Sequence, residues 1–274
     1  MINSKLRFSI VCTNYNKEKY IQECICSVLN QNSLNYEFII VDDCSTDKSP
    51  DIINDYAQRS DKITYLKNEK NMGMAYGYNK ALAVASGEIV SLIDSDDLWY
   101  SNKLQIVDDF FKSNPSCVLH EHPLDVYHYE EKTDHQFREY YIVGDCLKYA
   151  QETNKIPLFS VTSGLSFRMS VVKQVLPIPL SFAKAGEAFL TRTAMCYGKG
   201  GLTSESLGGY RKHDSNIFFG NKDRNVQEFI TNTLIPELNC FYKKNGINLK
   251  FKRNNRKHSL KKIIRKIFSL SHKN

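Results

Sequence analysis

Residues 91–101 read SLIDSDDLWYS, and the fold turns on how this stretch is read. Ser91, Leu92 and Ile93 continue an apolar run that begins at Ile89, the kind of segment that becomes a buried strand. Asp94, Asp96 and Asp97 then fall within four positions, and Leu98 and Trp99 follow at once. Acids crowded beside an apolar strand raise one another's pKa and cost stability unless a positive charge sits among them. A plain polar turn closing a strand is the ordinary reading of Asp and Ser here. The rest of the chain has to decide between the two.

Upstream, EIVSLI (88–93) is the last of four apolar runs. FSIVC (8–12) reads as a strand ending in TNYN, with Asn16 expected to cap a helix that puts Tyr20, Ile21, Cys24, Val28 and Leu29 on one face. EFIIV (37–41) is a second buried strand, followed by DDCSTDKSP and a helix over 49–59 with Pro50 in its first turn. ITYL (63–66) is a third, followed by the loop NEKNMG and a helix over 74–85 ended by Gly87. This alternation predicts an α/β fold whose mostly parallel, Rossmann-like sheet is flanked by helices, with ligands bound beyond the carboxyl ends of the strands. TNYN (13–16), DDCSTD (42–47) and DSDD (94–97) each follow a strand, so they should converge on one sheet edge. Downstream the pattern predicts a helix near 102–113, a strand, turn and short helix over 161–175, and a helix over 185–198 entered through Gly186. The stretch 117–160 is rich in His and Tyr and has poor periodicity.

The 274 residues, 42% hydrophobic and 24% charged, are those of a soluble globular protein with a sizeable core. No apolar run approaches the ~18–20 residues that span a bilayer, and Phe8 to Cys12 is too short for a signal-peptide core. A cytoplasmic chain is expected, and the eight cysteines, with no CxxC pair, predict neither a disulfide framework nor a zinc site. The net charge of +7 is uneven: 12 of the 37 Lys and Arg lie in 238–274, where no acid occurs, leaving 25 basic against 30 acidic residues in 1–237. KHSLKKIIRKIFSLSHKN at the end reads as a basic helical extension, with Leu260, Ile263, Ile264, Ile267 and Phe268 on one face. Residues 255–274 could hold the chain on the inner face of an anionic membrane or pack on the body. The mildly acidic remainder argues against nucleic acid as a partner.

Two or three carboxylates at a strand end suit a hard divalent cation, Mn²⁺ or Mg²⁺, shared with waters and a substrate phosphate. Such a cation would be the missing positive charge and would stabilise a leaving diphosphate. Asp42 and Asp43 are placed to accept hydrogen bonds from a ribose or a base, Tyr15 to stack on that base, and Thr13 to meet its polar edge. Taken singly, each is equally a cap or turn residue.

SIVCTNYNKEKYIQECICSVLNQ, EFIIVDDCSTDKS and NEKNMGMAYGYNKALAVASGEIVSLIDSDDLW together resemble family 2 glycosyltransferases, inverting enzymes of the GT-A fold. The close similarity covers about 1–104. The resemblance implies a nucleotide-sugar-binding half (1–98), an acceptor-binding half (99–216) and a C-terminal extension (217–274). It puts Thr13, Tyr15 and Asp43 at the nucleotide with Asp42 beside them, and makes Asp94 and Asp96 a DxD pair flanking Ser95, with Asp96 the direct metal ligand. Asn71, Gly73 and Asn79 would flank the donor sugar. Glu187, opening a helix in the acceptor half, would be the base that takes a proton from the acceptor hydroxyl, although a Glu favoured by the helix dipole reads the same way. LGGYRKHDSN (207–216) resembles the segment closing the catalytic domain, so Arg211 and His213 would reach the diphosphate or the metal. His120 and His122 read as surface or acceptor-groove residues.

The chain departs from the family pattern at Gly186, where many members have a second acid, at Tyr78, where an Arg is common, and at Asn14, where a small residue is usual. The implied reaction moves a sugar from a nucleotide-diphosphate donor, UDP being the commonest, to a saccharide or lipid-linked acceptor in surface polysaccharide synthesis. A sugar-nucleotide nucleotidyltransferase would carry a Gly-rich basic loop after the first strand, where this chain has TNYNKEKY. A nucleotide-binding scaffold without catalysis is the third alternative.

Overall fold

The structure, a computed structural model, describes residues 7–32, 35–128, 130–137, 143–214, 216 and 223–252. The expected basic helix at 255–274 lies outside these residues. Strand β1 (Phe8–Asn14) runs at the centre of a seven-stranded sheet, with β2 (Tyr36–Asp42) and β4 (Ile89–Asp94) parallel to it on either side and β3 (Ile63–Lys67) parallel beyond β2. Helices α1 (Ile21–Leu29), α2 (Ser49–Arg59) and α3 (Met74–Val84) make the crossovers. Side chains that alternate along the strands line two cores. Phe8, Ile10, Cys12, Phe38, Ile40, Ile89 and Ile93 pack with α1, α2 and α4 (Lys103–Ser113). Val11, Ile39, Val41, Val90 and Leu92 pack with α3, α6 (Met169–Val175) and α7 (Gly186–Ala194). Period-two alternation between two apolar cores explains why the strands read as continuous apolar runs.

The polar ends differ in detail from expectation. β1 continues through Thr13 and Asn14, and α1 starts at Ile21 without Asn16 as its cap. Asn16 instead adopts a left-handed φ of 52° and accepts from the Thr46 N–H (2.8 Å), tying the first polar turn to the second. An Asn side chain satisfying a neighbouring turn competes directly with capping a helix.

Beyond Asp94 the chain builds what the sequence pattern left open. β5 (Leu98–Trp99) joins a second, four-stranded sheet with β7 (Leu124–His128), β8 (Glu131–Phe137) and β11 (Gly208–Lys212). β6 (Cys117–Glu121), β9 (Leu165–Arg168) and β10 (Lys199–Leu202) extend the main sheet past β4, with β9 antiparallel between β4 and β6. A 3₁₀ turn over Thr162–Gly164 precedes β9. After α5 (Cys146–Thr153), α8 (Asp223–Phe229), a π-helical turn and α9 (Ile235–Lys244), Leu238, Tyr242 and Phe251 are buried in the same core as α7.

Candidate active site

β1 sets the site. In its parallel register Asn14 lies opposite Asp42 and Thr13 opposite Asp94, so the polar turns that follow β2 and β4 emerge on the same sheet edge, one strand to each side. At a strand spacing of about 4.8 Å, the two turns start about 10 Å apart.

The acidic turn is held from three directions. The Ser163 hydroxyl, on the 3₁₀ turn before β9, accepts from the Asp94 N–H (3.0 Å) and donates to Asp97 Oδ2 (2.5 Å). The Ser163 carbonyl accepts from Trp99 Nε1 (2.9 Å) and Lys103 Nζ (2.8 Å), so one residue anchors both ends of DSDDLW (94–99). On the second sheet, β11 pairs with β5 through Gly208 opposite Trp99, which brings Arg211 and His213 over the turn. The Arg211 N–H donates to Asp97 Oδ1 (3.0 Å), and its buried guanidinium donates to the Asp96 carbonyl (3.2 Å) and pairs with Glu23. His213 Nε2 lies 3.0 Å from Asp96 Oδ2, its ring stacked on Tyr20 at 4.7 Å. Lys17 Nζ reaches the same Asp96 oxygen at 2.7 Å. Lys17, Glu23 and Ser163 were not among the expected site residues. Lys17 follows TNYN directly and was the one legible signal; the other two meet the turn through contacts that spacing does not encode.

Electrostatics separate the three acids. Asp96 is held below the ordinary carboxylate range because His213 and Lys17 outweigh the cost of its burial. Asp94 is pushed well up by burial and by Asp97, Asp96 and Glu187. Burial and Asp96 push Asp97 up to about 8. Asp94, Asp96 and Asp97 each offer a ligand atom, all within 4.8 Å of one another. The chemistry of this donor set fits a hard cation; Asp97 already accepts from Ser163 and the Arg211 N–H, and Asp96 Oδ2 already meets Lys17 and His213.

The second turn is braced by its own acids. Asp42 is fully buried and accepts from Asn14 Nδ2 (2.8 Å), the Ser45 N–H (3.0 Å) and Ser45 Oγ (2.6 Å). Asn14 thus serves as the link between β1 and that turn. Asp43 accepts from Asn68 Nδ2 (2.9 Å) and from the N–H groups of Met72 (2.8 Å) and Gly73 (2.7 Å), which fixes the loop entering α3. Tyr15 stands 45% exposed at the edge, as a stacking platform would, and Asn71 is exposed in the loop. Ser95 is buried in the acidic turn. Asn79 faces elsewhere: both atoms of its amide bond the Ile178 backbone at 2.8 Å.

Glu187 opens α7 on the α3 side of the sheet, close enough to raise the Asp94 pKa; burial moves its own carboxyl up to about 7. His120 and His122 correct the surface reading: both are fully buried. Every residue of β6 is buried, with the His120 ring against Phe110 (4.5 Å) and Phe111 (6.2 Å) of α4. His122 Nε2 lies 2.7 Å from Lys103 Nζ and its Nδ1 2.9 Å from the Pro123 carbonyl. Burial drives the Lys103 ammonium well below its usual pKa.

Among proteins of known sequence, an uncharacterised glycosyltransferase of Nostoc sp. is 33% identical over 77% of this chain and 66% of its own length. The UDP-Glc:α-D-GlcNAc-diphosphoundecaprenol β-1,3-glucosyltransferase WfgD of Escherichia coli is 37% identical over 40% of this chain and 43% of its own. The match thus spans from about two fifths to two thirds of these relatives' length. Among solved structures, S. aureus TarS 1-349 in complex with UDP-GlcNAc superposes with a TM-score of 0.64 at 20% identity, over 94% of this chain and 77% of that one, and so shares the fold. The glycosyl transferase family 2 profile matches residues 9–176, taking in the TNYN, DDCSTD and DSDD turns and the sheet that gathers them. The chain belongs to glycosyl transferase family 2.

Proposed function

We propose that this chain is a metal-dependent, inverting glycosyltransferase that moves a sugar from a UDP-linked donor to a saccharide or lipid-linked acceptor in surface polysaccharide synthesis. The observation that carries the reading is the group Asp94, Asp96 and Asp97 on the sheet edge that also bears the Asp42–Asp43 turn. Asp94 and Asp96 would hold Mn²⁺ or Mg²⁺, which when bound offsets the negative charge that builds on a departing diphosphate. Lys17 and Arg211 add positive charge around Asp96, and His213 Nε2 adds a ring nitrogen 3.0 Å from its Oδ2. Asp43 keeps room on Oδ2 for one more donor, such as a base N–H, and Tyr15 offers an exposed ring to stack on that base. Thr13, Ser95, Asn71 and Gly73 complete the proposed donor wall, with Asp42 and Asn79 holding it in shape through protein contacts.

Glu187 would act as general base. A carboxyl with a pKa near 7 is ionised enough to accept a proton at neutral pH and basic enough to pull it from a hydroxyl. Donor and acceptor types follow the names of relatives: UDP-Glc and a lipid diphosphate for WfgD, UDP-GlcNAc for TarS. Among the described residues no helix is long and apolar enough to cross a membrane.

The test is turnover of a panel of UDP-sugars with Mn²⁺ by the wild type and by Asp96→Ala. Release of UDP and free or transferred sugar by the wild type alone supports the reading. Formation of nucleoside triphosphate from added pyrophosphate would instead mark a nucleotidyltransferase, and equal turnover by Asp96→Ala would remove Asp96 from the chemistry.

A further inference from the structure

The turn after β1 is laced to the turn after β2. The Asn16 N–H donates to Ser45 Oγ (2.9 Å), the Lys17 N–H to Ser49 Oγ (3.0 Å) and the Glu18 N–H to Asp47 Oδ2 (2.9 Å). Glu18 accepts in return from the Lys48 N–H (3.0 Å). The backbone of Lys17 is therefore fixed against the turn that β2 feeds, while its side chain crosses to the acidic turn, where Nζ lies 2.7 Å from Asp96 Oδ2. Lys17 and Asp96 keep 17% and 13% of their side-chain surface exposed, so solvent reaches the pair. His213 Nε2 meets the same oxygen at 3.0 Å and is the less movable partner. Its ring stacks on Tyr20, and its backbone N–H donates to Asn216 Oδ1 (2.7 Å). Lys17 hangs on a flexible alkyl stem.

A divalent cation held by Asp96 puts its charge next to that ammonium, at a range where like charges repel strongly. The ammonium must then leave Asp96 for another anion. A nucleoside diphosphate whose base meets Asp43 and Tyr15, and whose phosphates meet a cation on Asp94 and Asp96, lays those phosphates across the same gap that the Lys17 side chain spans. We propose that Lys17 is a diphosphate-binding residue, which rests on Asp96 and trades it for a phosphate oxygen of the donor when the divalent cation is bound. The inference rests on the transferase reading above. Lys17 then opposes the cation while the donor is absent and supports the donor once the cation is in place. The exchange couples the two binding events: each ligand removes a cost that the other would bear alone.

Lys17→Met removes the ammonium and keeps most of the stem, and Lys17→Arg keeps the charge. Wild type and both variants are compared for Mn²⁺ affinity without nucleotide, by electron paramagnetic resonance, and for UDP and uridine affinity at saturating Mn²⁺, by calorimetry. The expected effects of Lys17→Met have opposite signs. Mn²⁺ alone binds about 2–5-fold more tightly, because no ammonium has to be displaced. UDP binds about 10–100-fold more weakly, because a charged donor to phosphate is gone, while uridine, which has no phosphate, binds as it does to wild type. Lys17→Arg should recover most of the lost UDP affinity. Mn²⁺ affinity unchanged or weakened in Lys17→Met, UDP affinity equal to wild type, or no recovery in Lys17→Arg would each overturn the proposal. So would an equal loss for UDP and uridine, which would make Lys17 a brace of the turns. A wild type that binds no UDP with Mn²⁺ present defeats the transferase reading itself, and the proposal with it; one that binds UDP and is matched by Lys17→Met defeats the role of Lys17 alone.

Discussion

Asp96 shows how the chain keeps an acid ionised at the end of a buried strand. Two nitrogens converge on its Oδ2, Lys17 Nζ at 2.7 Å and His213 Nε2 at 3.0 Å, while burial pushes Asp94 and Asp97 up. Ser163 sets the shape of the turn by holding the Asp94 N–H and the Asp97 carboxylate on one hydroxyl. Ser163→Ala should cost about 1–3 kcal/mol in unfolding free energy and weaken Mn²⁺ binding, read by electron paramagnetic resonance, because a buried acceptor loses its donor; wild-type affinity and stability would contradict this. Glu187 carries a pH prediction. Its carboxyl, near 7 in the fold, is protonated and unable to take a proton below that pH, so kcat should rise through pH 7 and flatten above it. Its contribution to stability has the opposite trend: it is complete at acid pH, below the unfolded value, and lost as pH climbs through 7. A Glu187→Gln profile that keeps the same rise would assign the titration elsewhere. At this scale the sequence exposes residues whose type is chemically marked and which follow an apolar run, such as Asp94, Asp96 and Asp43. It hides Ser163 and Glu23, ordinary residues made important by partners 66 and 188 positions away.

Among elements, β1 to β4 and their helices were legible because each strand is apolar on both faces and each crossover helix is amphipathic. The middle of the chain was not. β6 to β8 carry His, Tyr and acids, and His120 and His122 are buried against α4, through Phe110 and Phe111 for the first and Lys103 for the second, contacts that no local pattern announces. The loop into α3 illustrates an element whose geometry is fixed by one position. Gly73 has φ of +80°, and a Cβ there would lie 2.7 Å from Ala183 Cβ and 2.9 Å from its carbonyl oxygen. Gly73→Ala should therefore lower stability by about 1–3 kcal/mol and the thermal midpoint by about 2–4 °C for each kcal/mol. It should also loosen the Gly73 N–H to Asp43 bond. An unchanged melting curve would show that the loop relaxes freely.

For the whole molecule, two sheets meet at the acidic turn: the parallel sheet delivers the aspartates, and β11 of the smaller sheet delivers Arg211 and His213 through its pairing with β5. Residues 1–237 carry 30 acidic against 25 basic residues, and three of the acids, Asp94, Asp96 and Asp97, gather at this junction. Calorimetric titration of UDP with and without Mn²⁺, on wild type and on Asp96→Ala, probes that arrangement most directly. The account predicts tight binding to the wild type with Mn²⁺ present, at least tenfold weaker binding after chelation, and no metal effect in Asp96→Ala. Equal affinity for UDP with and without the metal, or a full metal effect in Asp96→Ala, would contradict it.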